Sequence, residues 1–156
     1  MGLLNIASNN SVWRGLDYYN SKKVKEFSKV SNYEYEGLVL GNNKEYNTFI
    51  NIEHPRKSRC NCKHAKDKRI ICKHMIALYF TVLPSEVNVF LKEVEEEEKR
   101  TKEYNEIIYN KMLKYINSLP KSELINIIVE LFNVSPNWVY DRFVKERIEE
   151  VNNENN

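Results

Sequence analysis

Apolar and polar residues alternate twice in the stretch NYEYEGLVLGNNKEYNTFINIE. Tyr33, Tyr35, Gly37 and Val39 lie two apart, and so do Tyr46, Thr48, Ile50 and Ile52. A period of two is the signature of a strand with one buried face, and Asn42 and Asn43 between the two runs tolerate the left-handed backbone of a tight turn, so the stretch predicts a β-hairpin. A preceding strand is expected over Val24 to Val30. The strand tyrosines are expected to cover a small core, since aromatic residues are ordinary on half-buried strands. After His74 the pattern changes to HMIALYFTVL, apolar on nearly every face, which predicts a short buried helix.

Beyond Pro84 the pattern is helical throughout. Ser85 is expected to cap a long helix with Val87, Leu91, Val94, Ile108, Met112, Tyr115 and Leu119 at three- and four-residue spacing. Its middle, KEVEEEEKRTKEYNE, offers Glu95 to Lys99, Glu96 to Arg100 and Glu98 to Lys102 as i, i+4 pairs, which describes a solvated face. SELINIIVELFN then places Leu124, Ile125, Ile128, Leu131 and Phe132 on one stripe, and Ser135 with Pro136 is expected to start the last helix. The apolar stripe of the long helix is expected to pack against these two. The chain therefore reads as an α+β protein: a small antiparallel sheet and a buried helix, then a helical extension over 85–151, with 152–156 expected to be disordered.

Composition sets the scale. The chain has 156 residues, 42% hydrophobic and 29% charged, enough for one ordinary domain or a small domain with an extension. The longest apolar run, MIALYFTVLP, is about half of the ~20 residues that span a bilayer. MGLLNIASNNSVW lacks the basic and apolar regions of a secretory leader, and Ile6 stands where a myristoylation signal needs Ser or Thr, so no membrane association is expected. The net charge of +2 hides an asymmetry: residues 1–90 carry 14 basic and 8 acidic side chains, residues 91–156 carry 10 and 14. The basic excess is centred on one segment, because between His54 and His74 eight Lys and Arg face Asp67 alone.

That segment contains RCNCKHAKDKRIICKH, residues 59–74, with all three cysteines of the chain and two of its three histidines. It has little apolar material of its own, so something besides burial must order it. Three cysteines cannot all pair within one molecule, and Cys60 and Cys62 are poorly placed to bridge each other, which points to reduced thiols and a cytoplasmic setting. Cys60-Asn-Cys62 and Cys72-Lys-His74 are two close ligand pairs separated by a loop, the arrangement that brings four N and S donors around one tetrahedral ion. One zinc is expected. A closed shell of four protein ligands leaves no position for a reacting water, so the ion is structural. Residues i and i+2 lie about 200° apart around an α-helix, so Cys72 and His74 cannot both bind from a helix interior, and His74 is expected in the first turn. His64, two residues after Cys62, is the alternative to His74, although its use would demand a very tight turn. His54, beside Pro55, is expected at the surface.

With Cys60-x-Cys62, a short basic loop, and Cys72-x-His74 leading into an apolar helix, the chain resembles the SWIM zinc finger, whose motif is CxCx(n)CxH. The upstream WRGLDYYNSKKV and the hairpin with Gly37 and Tyr46 extend the resemblance over residues 12–83. It implies Cys60, Cys62, Cys72 and His74 as zinc ligands. It also implies binding to DNA or to proteins, since SWIM modules accompany remodelling ATPases, transposases, ubiquitin-ligase-like kinases and recombination mediators.

Three classes of function follow. Nucleic-acid binding, with DNA ahead of RNA, would use Arg56, Lys57, Arg59, Lys63, Lys66, Lys68 and Arg69 as phosphate contacts without base reading, supported by Lys22, Lys23 and Lys25. The same cations have a second explanation, since three thiolates on a divalent ion leave a charge of −1 that they would offset. A protein-interaction adaptor would dock through its amphipathic helices on a larger ATPase, transposase or recombinase. A zinc enzyme is disfavoured: neither a deaminase signature nor a His-Glu-x-x-His helix is present, and no phosphate-binding glycine loop suggests a small-molecule substrate. Asp17, Tyr18 and Tyr19 are expected in strand and turn.

Overall fold

The computed structural model describes residues 2–42 and 44–149. Asn43 of the expected turn and the tail at 152–156 lie outside them. The chain divides into two compact units, Met1–Glu97 and Glu98–Asn156.

The first unit is α+β. Four antiparallel strands in the order β1-β2-β3-β4 form one sheet: β1 Val24–Ser31, β2 Glu34–Leu40, β3 Glu45–Asn51 and the short β4 Arg59–Cys60. The predicted alternation sets the register. Tyr35 lies opposite Ile50, Gly37 opposite Thr48 and Val39 opposite Tyr46, so the two period-two series share one face, on which Val39, Thr48 and Ile50 are buried. Helix α2, Lys73–Val82, packs on that face, mainly on β2 and β3. Gly37 permits the close approach: a Cβ there would stand 2.8 Å from Leu78 Cδ1 of α2 and 2.8 Å from the carbonyl oxygen of Glu26.

Every residue of α2 from His74 to Phe80 is buried, which an apolar helix requires and one sheet face cannot supply. Its other side is covered by helix α1, Asn9–Asn20. This helix corrects the expectation of strand and turn for Asp17, Tyr18 and Tyr19. Ser8 caps it by accepting a hydrogen bond from the Ser11 N–H at 3.2 Å, and Val12, Gly15 and Leu16 are buried on the face towards α2. Aromatic residues, which favour strands only weakly, were overruled by the cap and the helical spacing.

A long helix, α3, covers Ser85–Ser118, and its first turns belong to the first unit. Val87 is buried there, and Phe90 meets Trp13 edge-on with ring centroids 5.2 Å apart. Tyr79 donates a hydrogen bond to Glu86 at 2.9 Å; burial first, and then this carboxylate, raise its hydroxyl pKa. Ser85 is the first helical residue, not the cap before it. Ion pairs on the exposed acidic run join Lys92 to Glu96 and Lys99 to Glu103, each at 4.0 Å, so Lys99 turns to the glutamate after it.

In the second unit α3 is followed by α4, Lys121–Val134, and α5, Asn137–Val144, with a π-helical turn at Lys145–Glu149. Helix α5 begins one residue later than expected, with Pro136 in the flanking position. Phe132 of α4 packs against Tyr140 and Phe143 of α5, at centroid distances of 5.6 and 4.9 Å. The long helix's stripe does not pack as expected: Ile108, Met112 and Tyr115 are 43%, 44% and 57% exposed.

Candidate metal centre

Cys60 ends the short strand β4, opposite Thr48 of β3. Cys62 follows after one residue, so both thiols hang from the sheet edge. The chain then turns through Ala65 and Lys66, whose N–H groups donate to the Cys62 carbonyl at 3.0 and 2.8 Å, and Asp67 takes a left-handed backbone with φ of 59°. Ala65 and Ile71 are the loop's only buried apolar contributions besides its cysteines. Cys72 occupies the N-cap position of α2 and His74 its first turn, where the geometry of a Cys-x-His pair requires the histidine.

The four side chains converge. The Sγ atoms of Cys60, Cys62 and Cys72 and a ring nitrogen of His74 all lie within 4.8 Å of one another, and all four residues are buried. Nδ1 of His74 is 3.7 Å from Cys60 Sγ and 3.8 Å from Cys72 Sγ. A tetrahedral zinc with Zn–S of about 2.3 Å and Zn–N of about 2.05 Å places such atoms about 3.6 Å apart, so this Cys3His cluster fits one zinc ion with little adjustment. No disulfide joins the three cysteines. His64 is exposed and outside the cluster, which settles the choice in favour of His74. His54 is at the surface beside Glu53, 3.9 Å away.

Neighbouring groups prepare these donors. The Cys60 thiol is pushed down to about 4, first by its hydrogen bond with Cys72 and further by His74 and Thr48, against the opposing effect of burial. The same pairing, with burial, raises Cys72. One proton is in effect shared by the two sulfurs, and a bound cation would displace it. Thr48 Oγ1 donates towards Cys60 Sγ at 3.5 Å. Tyr46 stacks on the His74 ring with centroids 4.3 Å apart, and Tyr18 meets the ring edge-on at 5.5 Å. These contacts hold the imidazole plane, a role that metal sites assign to residues just outside the ligands. Nε2 of His74 is buried and has no hydrogen-bond partner among the described residues.

The SWIM zinc finger family model matches residues 40–83, the segment that contains all four ligands. Residues 40–83 are a SWIM zinc finger. Curated proteins and solved structures give no match to the chain.

Around the SWIM finger the structure sorts the basic residues into groups that their sequence spacing did not separate. Arg59, Lys66, Lys68 and Arg69 line one cleft of about 930 Å³ on the sheet face away from α2, together with Phe49 and Leu38. The Arg59 guanidinium lies 4.3 Å over the Phe49 ring. Lys63 lines a second cleft of about 490 Å³, joined there by Arg14, Lys44 and Lys73, which the sequence reading did not single out. Lys73 donates to the Tyr18 hydroxyl at 2.6 Å. Arg56 and Lys57 sit on the 3-10 turn before β4, and they and Lys22, Lys23 and Lys25 line neither cleft. Arg14 and Lys44 lie 30 residues apart in sequence on a helix and near a turn, so only the fold could unite them. No single helix among the described residues is long and apolar enough to cross a membrane.

Proposed function

We propose that this chain is a nucleic-acid-binding accessory protein, with DNA as its ligand, in which a structural zinc shapes the binding surface and no reaction is catalysed. One observation carries the reading: Arg59, Lys66, Lys68 and Arg69 converge on a single cleft whose floor contains Phe49. Cations in a concave surface attract a polyanion and release its counterions. A planar guanidinium held on an aromatic ring also offers a face on which a base can stack. Glu26 and Glu36 line the cleft from β1 and β2 and Asp67 from the loop, so the phosphates would follow Arg59, Lys66, Lys68 and Arg69 along β4 and the loop. The match of residues 40–83 to the SWIM zinc finger, a module that binds nucleic acid or proteins, is consistent with the same reading.

The test replaces Lys66, Lys68 and Arg69 with Gln. Affinity for DNA should fall alike for all sequences, and the dependence of log affinity on log salt should flatten by about 0.9 per lost contact with duplex, or about 0.7 with a single strand. Zinc content should stay at one per chain, because none of the three is a ligand. Unchanged affinity, accompanied by zinc release at a higher pH, would show instead that these cations serve the thiolates, and would overturn the proposal.

A further inference from the structure

Among the described side chains of the second unit, residues 98–148, none is buried. Seventeen large apolar side chains between Tyr104 and Ile148 are exposed, among them Tyr104 at 64%, Ile128 at 45%, Leu131 at 56% and Trp138 at 63%. At roughly half of a typical large side chain each, they present on the order of 1,000 Å² of apolar surface. Monomeric proteins rarely leave a contiguous apolar patch above about 600 Å² uncovered, and a stable interface needs about 800 Å² from each partner.

Helix α4 makes the demand specific. From Leu124 to Val134 its apolar residues are Leu124, Ile125, Ile127, Ile128, Val129, Leu131, Phe132 and Val134, and Glu130 is the one charge. At 100° per residue these eight sweep an arc of roughly 220°, about twice the stripe that a helix buries against one neighbour. Among the described residues α5 sets Tyr140 and Phe143 against Phe132 of this arc, and Leu124, Ile127 and Phe132 are half-buried while Ile125, Ile128, Val129, Leu131 and Val134 stay exposed. The exposed part of the arc is wide enough to receive a second layer of helices.

We infer that a second copy of this chain supplies that layer, and that the protein is a homodimer closed through α4 and the distal half of α3. The charge balance selects this occupant. Residues 98–149 carry nine basic and eight acidic side chains, so two copies approach without net repulsion, and the face is not positive enough to seek a polyanion. A two-fold interface sets one patch against itself, which a neutral apolar face satisfies automatically and a charged one does not. The dimer rests on observations separate from those behind the nucleic-acid reading, and neither requires the other.

Sedimentation equilibrium of the full chain, loaded with zinc, tests it. The expected mass is twice 18.6 kDa at micromolar concentration. Leu131→Lys and Met112→Lys, each at an exposed position that a monomer tolerates, should raise the dimer dissociation constant at least tenfold while zinc content and the near-ultraviolet spectrum stay unchanged. A wild-type chain that remains monomeric up to about 100 µM, including one that associates only after a different protein is added, would overturn the inference. So would a dimer indifferent to both substitutions, which would be joined through another face.

Discussion

His74 carries three demands at once: it offers Nδ1 to the metal, stacks its face on Tyr46, and sits in the first turn of the helix that fills the core. Cys72 beside it couples the same helix to the sheet through the ion. Removing either ligand thus removes the link as well as a donor. Cys72→Ser is expected to lower both the zinc content and the melting temperature, because binding and folding are one equilibrium in such a site. His64→Ala should change neither, since that ring is exposed and outside the cluster. Elemental analysis and a thermal melt on both variants check this; loss of zinc from the His64 variant would reassign the fourth ligand. The donor set was legible in the sequence because soft ligands at short spacing have few other uses. Tyr18 and Tyr46, which position the ring, were not, since a tyrosine that holds a histidine has the same spacing as one that covers a core.

Among the elements, the hairpin and α2 follow directly from periodicity, and α1 does not. Its buried set is Ser11, Val12, Gly15 and Leu16, too short a stripe to outweigh the expectation of strand and turn for Asp17, Tyr18 and Tyr19. The informative residue was Gly15, in the middle of a helix where glycine costs about 1 kcal/mol relative to alanine. It is there for contact: a Cβ would collide with Ile76 and stand 3.0 Å from the Lys73 carbonyl oxygen. Gly15→Ala is therefore expected to destabilise the first unit by about 1–3 kcal/mol despite the better helix propensity, as overpacking does. Urea unfolding followed by fluorescence measures it, and a stabilised variant would mean that α1 does not press on α2. The stripe of α3 shows the opposite limit: periodicity announced an apolar face, and nothing in it said whether the covering surface would come from the same chain.

At the scale of the whole molecule, the two units are held by different physics. The first has a continuous core from Leu3 through Ile50 to Phe80, with the cysteines inside it. The second is helical, and among its described side chains none is buried. Sequence patterning could distinguish sheet from helix along both, but burial is a property of the finished surface, and the contrast between a filled core and an open one became visible only in three dimensions.

The short loop of the metal site also bears on the order of events as the chain folds. Cys60 and His74 are fourteen residues apart, so bringing them together costs little chain entropy compared with pairing distant segments. By loop length, an ion caught by this loop would join β4 to the start of α2 before α1, some fifty residues upstream of α2, has found its place. Zinc would then act as a nucleus, and its supply would become part of the folding rate. Refolding from denaturant is expected to accelerate with zinc concentration until the loop is saturated, as stopped-flow fluorescence would record. A rate independent of zinc, with the metal entering only after the core has formed, would show that the cluster is assembled by the fold and takes no part in building it.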